Sequence, residues 1–400
     1  MFRREAMFEM VEAQLNAVIK VIGVGGGGGN AVNHMIRSNI EGVEFVCANT
    51  DAQALKSISG GSILQLGANI TKGLGAGTNP DVGRQAALED KERIAEALRG
   101  TNMVFITTGM GGGTGTGAAP VIAQVAKEMG ILTVAVVTRP FVFEGRKRSK
   151  VADEGIAALV EHVDSLITIP NEKLITILGK DVSLLSAFAK ADDVLAGAVR
   201  GISDIMQRPG LINIDFADVK EVMSEMGMAM MGAGSASGPN RAREAAEAAI
   251  RNPLLEDINL QGARGVLVNI TASDMTIGEF NDVGEIIEDL VSDQATVKIG
   301  SAIDPTMGDE LNVTVVVTGL GQEMAKPVKV VDNTFAAVNV NAVETSAGRT
   351  ENVTEPNYRD FDRPTVMRNR AAHGNVAPNL QAQEDLDYLD IPAFLRNQAD

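Results

Sequence analysis

The chain has 400 residues, 45% hydrophobic and 22% charged, with 35 basic against 52 acidic side chains and a formal net charge of −17. That length suits two domains plus a tail, with ample chain to bury real cores. The acidic balance excludes nucleic acid or an anionic membrane as the main partner. A single cysteine, Cys47, excludes an internal disulfide framework.

The first seventeen residues, beginning "MFRREAMFEMVEAQ", lack the apolar core of a signal peptide and read as a flexible arm (1–17). The second "MF", at Met7, is a second candidate start of translation. No window approaches the ~20 consecutive apolar residues of a membrane-crossing helix, so direct membrane insertion is not expected and the location read from the sequence is cytoplasmic. His34, His162 and His373 are scattered and form no Cys/His metal pattern.

From residue 18 the pattern alternates strand and helix. "AVIKVIGVG" is an apolar strand, Asn30 to Ser38 a helix, and "VEFVCANT" a second strand in which Cys47 reads as a buried, inert thiol. "VGRQAALEDKERIAEALRG" reads as one helix stopped at Gly100. "NMVFITTG" is a strand, "AAPVIAQVAKEMG" a helix, and "ILTVAVVTRP" a continuous apolar strand of the type buried on both faces in parallel sheets. Such alternation predicts a doubly wound, mostly parallel α/β sheet over 18–182.

"SLLSAFAKADDVLAGAVRGISDIM" predicts one long central helix over 183–208, about 35 Å at 1.5 Å per residue. A second α+β domain follows over 209–331, with the helix "PNRAREAAEAAIRN" and the strands "ARGVLVNITA", "ATVKIGSAID" and "ELNVTVVVTGL". The Met-rich "MSEMGMAMMG" reads as core filling. After Val331 lysine and nearly all isoleucine vanish, which predicts a disordered linker over 332–383. The last segment, 384–400, regains Leu386, Tyr388, Leu389, Ile391, Phe394 and Leu395 and reads as a short peptide that folds on a partner.

Two glycine-rich loops carry the chemistry. In "GVGGGGGNAVNHM", Gly23, Gly25 and Gly28 satisfy G-x-G-x-x-G, and Asp51 follows the next strand, a dinucleotide fingerprint. That pattern is weak by itself, because a run of glycines matches many spacings. "GMGGGTGTG", residues 109–117, also follows a strand and opens a helix. Backbone N–H groups at a helix N-terminus bind anions, and glycine lets that backbone approach phosphate oxygens; the Thr114 and Thr116 hydroxyls can donate as well. Two such loops at one sheet edge suit a triphosphate, whereas a dinucleotide needs one. No G-x-x-x-x-G-K-[ST] occurs. Arg146, Lys147, Arg148 and Lys150 form the densest basic cluster, at a helix start where cations are unfavourable unless they face an anion. Glu144 beside them can accept from ribose hydroxyls.

"GGGGGN" and "GGGTGTG", with "PFVFEG", "ITIPN", "NIDFADV" and "DYLDIPAFLR", resemble the tubulin/FtsZ family of GTPases over 18–331 and the tail. The resemblance implies a tubulin-like fold and a site for GTP or GDP, with Mg2+ held mainly through the phosphates. Gly26, Gly27, Gly28, Gly29 and Asn30, with Gly111, Gly112, Gly113, Thr114 and Gly115, would wrap the phosphates and sugar. Glu144 and Arg148 would lie at the ribose, Asn49 and Asn171 would line the site, Phe188 would stack on the base, and Asp192 would read guanine. A carboxylate accepts from guanine N1–H and N2–H2, and adenine offers neither pattern.

For hydrolysis, "NIDFADV" supplies Asn213, Asp215 and Asp218, where Asp218 also suits a plain helix start. The resemblance implies that this loop meets the GTP of the next subunit, so that a head-to-tail, non-closing interface gives filaments and a ring at mid-cell on the inner face of the membrane. It further implies that Asp387, Tyr388, Leu389, Asp390, Ile391, Pro392, Phe394 and Leu395 dock on membrane-tethering and regulatory division proteins such as FtsA and ZipA.

Overall fold

The structure, a computed structural model, describes residues 17–320 except 180, 181, 209–211, 226, 256–259 and 293. All of these belong to the unit Met1–Val328. Most of the expected arm, the linker and the terminal peptide lie outside the described residues.

The chain opens with β1 (Ile19–Val24), α1 (Gly25–Arg37), β2 (Val43–Asn49) and the short α2 (Ala52–Lys56). Next come β3 (Ser62–Gln65), α3 (Ala68–Thr71), α4 (Pro80–Glu89) and α5 (Lys91–Ala97). β4 (Met103–Gly109), α6 (Gly113–Glu128), β5 (Leu132–Arg139), α7 (Arg146–Val160), β6 (Ser165–Pro170) and α8 (Asn171–Leu178) complete the first half. α9 (Leu184–Gln207) then leads to α10 (Phe216–Met223), β7 (Met228–Ser237) and α11 (Arg241–Ile250). β8 (Gly265–Ala272), α12 (Ile277–Glu288), β9 (Thr296–Ile303) and β10 (Glu310–Leu320) follow.

The strands form one ten-stranded sheet in the order β3-β2-β1-β4-β5-β6-β7-β10-β8-β9. The six strands of the first half are all parallel. β10 alone runs antiparallel, to both β7 and β8. The halves meet at β6 and β7 through only Leu166↔Met228 and Ile167↔Ala229.

Successive strand residues feed opposite cores, as a period of two requires. Met103 and Phe105 pack on the α9 side, while Val104 and Ile106 pack beneath α6. α9 is the common strut. Its Leu195, Val199 and Ile202 share one cluster with β1 and β4 residues and with Leu267 and Val316 of the second half. Ser183 caps it, accepting from the Ser186 N–H at 3.1 Å.

Several boundaries differ from those the sequence pattern predicts. α1 begins at Gly25 instead of Asn30, because the glycines themselves form its first turns. The helix expected over 82–100 is two helices, broken at Asp90. The Asp90 carboxylate turns inward to accept from the Gly67 N–H at 2.7 Å, and the backbone there leaves helical geometry (φ −103°, ψ 22°). The Met-rich segment does fill core through the buried Met223 and Met231, but it also supplies strand β7. β3, β6 and α12 are further elements that the pattern leaves unmarked.

α4 and α6 touch through glycine. A Cβ at Gly117 would fall on the Pro80 carbonyl oxygen and lie 2.7 Å from the Arg84 nitrogen. Gly117→Ala should therefore destabilise the fold by about 1–3 kcal/mol through overpacking. The check is a lowered urea midpoint with an unchanged m-value.

Candidate functional site

The C-terminal ends of β1 and β4 lie side by side, with Val24 and Thr108 in register. The Thr108 hydroxyl donates to the Val24 carbonyl at 2.9 Å. The two glycine loops therefore emerge next to each other and touch backbone to backbone. A Cβ at Gly25, whose φ is +71°, would lie 2.9 Å from the Gly115 nitrogen, and one at Gly27 would lie 3.2 Å from the Gly109 nitrogen.

The glycines divide into two groups. Gly23 and Gly28 press on each other, and a Cβ on Gly28 would strike the Thr107 carbonyl. Gly113 and Gly115 are likewise buried against backbone oxygens, and the Gly113 N–H donates to the Gly77 carbonyl at 2.9 Å. Gly26 and Gly112 instead face open space, with no protein atom within 4 Å of an added Cβ. The first group packs the loops; the second leaves room for a guest.

Both α1 and α6 start at these loops without an acidic residue in the first turn and without a capping side chain. Their N-terminal N–H groups and dipoles favour an anion. Thr114 and Thr116 do not both face that space. Thr114 Oγ1 lies 2.6 Å from Thr50 Oγ1, bridging the two halves of the loop floor. Thr116 Oγ1 accepts from the Gly111 N–H at 2.8 Å, so it closes the loop on itself.

Two cavities flank the N-terminus of α1 and share Asn30. One, of about 260 Å3, is lined by Gly26, Gly29, Asn49 and Ser57 among others. The other, of about 140 Å3, is lined by Gly27, Glu144, Arg148, Asn171, Phe188 and Asp192 among others. Most of the expected ligand residues thus converge. Gly28 lies beneath the loop instead of facing the cavities, and Gly111–Gly115 form the adjoining loop and helix start.

In the second cavity Glu144 and Arg148 hold each other, whereas Asn171 keeps an unmatched acceptor. Glu144, largely buried, accepts from the Phe141 N–H at 2.9 Å and from Arg148 at 2.7 Å. Arg148 is the member of the basic cluster that lines the cavity. Phe188 stands edge-on to buried Phe141, with ring centroids 5.3 Å apart, and keeps 42% of its surface exposed. Asn171 opens α8 and is 4% exposed, and its Oδ1 has no hydrogen-bond partner. A buried acceptor left unmatched costs free energy unless a guest satisfies it. Burial pushes the Asp192 carboxyl up to about 6, against the pull of nearby His34.

The dinucleotide alternative loses its acid. Asp51 caps α2, accepting from the Gln53 and Ala54 N–H groups at 2.8 and 3.2 Å. Cys47, beside the first cavity, is 1% exposed, and burial raises its thiol to about 11, which makes it unreactive.

The acidic loop lies elsewhere. Asp215 caps α10 by accepting from the Asp218 N–H at 2.8 Å, and Asp218 accepts in return from the Asp215 N–H at 3.4 Å. This reciprocal pair is a capping box, so the helix-start reading of Asp218 holds locally, with Asp215 as the cap itself. Asp218 also pairs with Lys298 at 2.7 Å, which holds its carboxyl below the usual range. Asn213 is exposed just before the box. Among the described residues, no group of three or more His, Cys, Asp or Glu side chains could hold a metal ion, and no helix is long and apolar enough to cross a membrane.

A parallel sheet with two glycine-rich loops at one edge, spanned by a long helix that carries an aromatic ring and a carboxylate into the same cleft, defines a nucleotide-binding protein of tubulin type. Residues 18–179 match the Tubulin/FtsZ family, GTPase domain, and residues 227–321 match the FtsZ family, C-terminal domain. Cell division protein FtsZ of Pseudomonas putida is 73% identical over 98% of this chain and 100% of its own length. That of Coxiella burnetii is 61% identical over 98% of this chain and 99% of its own. The FtsZ dimer of M. jannaschii superposes with a TM-score of 0.74 at 43% identity, covering 79% of this chain and 93% of that one. The chain belongs to the FtsZ family of cell-division GTPases.

An alanine at Gly26 tests whether the open space is functional. The added methyl meets no protein atom and no backbone strain, so the stability of Gly26→Ala should stay within about 0.5 kcal/mol of the parent. Its affinity for a fluorescent GTP analogue should fall at least about tenfold, or about 1.4 kcal/mol.

Proposed function

We propose that the chain is a self-assembling GTPase that polymerises head to tail, forms the cytokinetic ring at the bacterial division site, and hydrolyses GTP between subunits. The separation of acid from cleft carries this reading. Phe188 and Asp192 enter the nucleotide cavity from the start of α9, whereas Asn213, Asp215 and Asp218 follow its end. Fifteen residues of helix, about 22 Å of rise, separate Asp192 from Gln207. The carboxylates lining the cavity are otherwise engaged: Glu144 is neutralised by Arg148, and Asp192 sits beside Phe188 at the base end. In this reading the water-orienting carboxylate comes from another copy, and a contact joining one end of the subunit to the other does not close on itself.

In this reading Gly26, Gly27, Gly29 and Asn30 with Gly111, Gly112, Gly113, Thr114 and Gly115 enclose the phosphates, and Gly28 supports them from below. Glu144 and Arg148 hold the ribose, Asn49 and Asn171 complete the lining, Phe188 stacks on the base and Asp192 accepts from guanine. Mg2+, when bound, would neutralise phosphate charge and would be held mainly through the nucleotide, since no group of three or more His, Cys, Asp or Glu side chains among the described residues could hold it. The segment Asp387–Leu395 would hook FtsA- or ZipA-type partners and keep the filament near the membrane at mid-cell.

Phosphate release from GTP and from ATP, measured across a protein dilution series with parallel light scattering, tests the split site. GTP-selective activity that begins at the same threshold concentration as scattering is expected. Asp218→Ala should still scatter while releasing phosphate at least about 100-fold more slowly, as for loss of a water-positioning group. Specific activity independent of concentration would place the chemistry within one chain.

Asp192 sets a pH dependence. Its carboxyl titrates at about 6 in the free subunit. Below that pH the neutral acid no longer accepts from both guanine donors, and binding must first expel a proton. GTP affinity should fall as pH drops below about 6, by up to tenfold per unit. Asp192→Asn should bind more weakly at neutral pH and lack this component, which separates it from titration of the nucleotide itself.

A further inference from the structure

β9 ends the sheet, and Lys298 projects from it onto α10. Its Nζ lies 2.7 Å from Asp218 Oδ1 and 3.2 Å from Glu221 Oε2. Asp218 and Glu221 are three residues apart on one face of α10, so a single ammonium bridges both. The second carboxylate oxygen of Asp218 is turned to the Asp215 N–H. Lys298 thus fixes the rotamer of the acid from one side while the capping box fixes it from the other. Lys220, the cation of α10 itself, is two residues from Asp218 and points to a different face of the helix.

Partly exposed ion pairs contribute little to stability, and side-chain exposures of 28% for Lys298, 34% for Asp218 and 57% for Glu221 place this cluster in that class. Its position suggests a different purpose. In the head-to-tail reading, on which this inference rests, the face carrying Asp215, Asp218 and Glu221 must approach the triphosphate of a neighbouring subunit. Three carboxylates moving toward a polyanion repel it, and like-charge juxtaposition is costly across an interface.

We propose that Lys298 is a positioning residue for Asp218 and supplies the positive charge that lets this acidic face dock on the neighbouring subunit's nucleotide. It touches neither the reacting atoms nor the subunit's own cleft. Its removal should leave GTP binding by dilute subunits intact and should raise the concentration at which assembly begins. A merely structural lysine, or one that guards an edge strand against aggregation, predicts a lowered melting temperature or nucleotide-independent precipitation instead.

The experiment uses the full chain as wild type, Lys298→Met and Lys298→Arg. Critical concentrations for GTP-dependent assembly are measured by light scattering at about 0.05 M and about 0.5 M salt, where screening lengths differ roughly threefold. Lys298→Met should raise the critical concentration about fivefold at low salt and less than about twofold at high salt, as expected for a screened charge effect. Lys298→Arg should restore the wild-type value, and thermal melting with GTP binding of the dilute protein confirms that each variant folds. An unchanged critical concentration, a salt-independent rise, or failure of arginine to restore assembly would overturn the role of Lys298. If the wild type itself shows no threshold, the head-to-tail reading fails, whatever the variants do.

Discussion

The pairing of β1 with β4 is the constraint on which the cleft depends. Neighbouring strands lie about 4.8 Å apart, so two helices that start at the ends of adjacent parallel strands have little space between their first turns. With Val24 opposite Thr108, the two loops can coexist only if their backbones touch, which side chains at Gly25, Gly27 or Gly115 would prevent. The strand order turns at this point, with β2 and β3 on one side of β1 and β4 to β6 on the other. Such a switch point leaves a crevice beyond the strand ends, where open α/β sheets bind ligands. Glycine packing and ligand binding are therefore two consequences of one topological choice.

That choice also resolves the electrostatics of an acidic protein holding a nucleoside triphosphate. Two helix N-termini, free of acidic residues in their first turns, converge on the same crevice, and their partial charges need no side chain to be placed there. The dense basic cluster contributes less than its composition suggests. Arg148 lines the cavity but is paired with Glu144, so its charge serves to orient a hydrogen-bonding carboxylate at least as much as to attract phosphate. Backbone dipoles favour an anion here without any charged side chain.

Much of this was legible in the sequence where signals were local and periodic. The apolar runs of β1, β4 and β5, the long amphipathic stretch of α9, and the strand–loop–helix context of both glycine segments lie close to where periodicity puts them. Failures cluster where a local rule met a tertiary partner. Gly25–Gly29 read as loop because glycine is a poor helix former, yet the strand pairing forces the turn to begin there. The run through Asp90 keeps helical period, and only the contact with the Gly67 N–H, twenty-three residues away, reveals the break. Gly28 counts as a binding glycine by position in the motif, and only the structure shows that the Thr107 carbonyl beneath it requires glycine for packing as well. Thr114 against Thr50, Phe188 against Phe141 and Asp218 against Lys298 join distant segments, and nothing in a single sequence pairs them.

The acidic loop shows why local satisfaction is a poor guide to function. Asp215 and Asp218 cap each other's backbone, and Lys298 neutralises one of them, so every local criterion describes a well-made helix start. A general base dedicated to its own subunit would face that subunit's cleft; these acids instead follow the opposite end of α9. A group can be complete in the free subunit and still be poised for a reaction it never reaches alone, provided its local bonds orient it without burying it. Asp218 remains about one-third exposed while held on both carboxylate oxygens. The long helix then has two roles at once. It is the strut whose apolar face packs in one cluster with strands of both halves of the sheet, and its length separates the cleft at its start from the acids that follow its end.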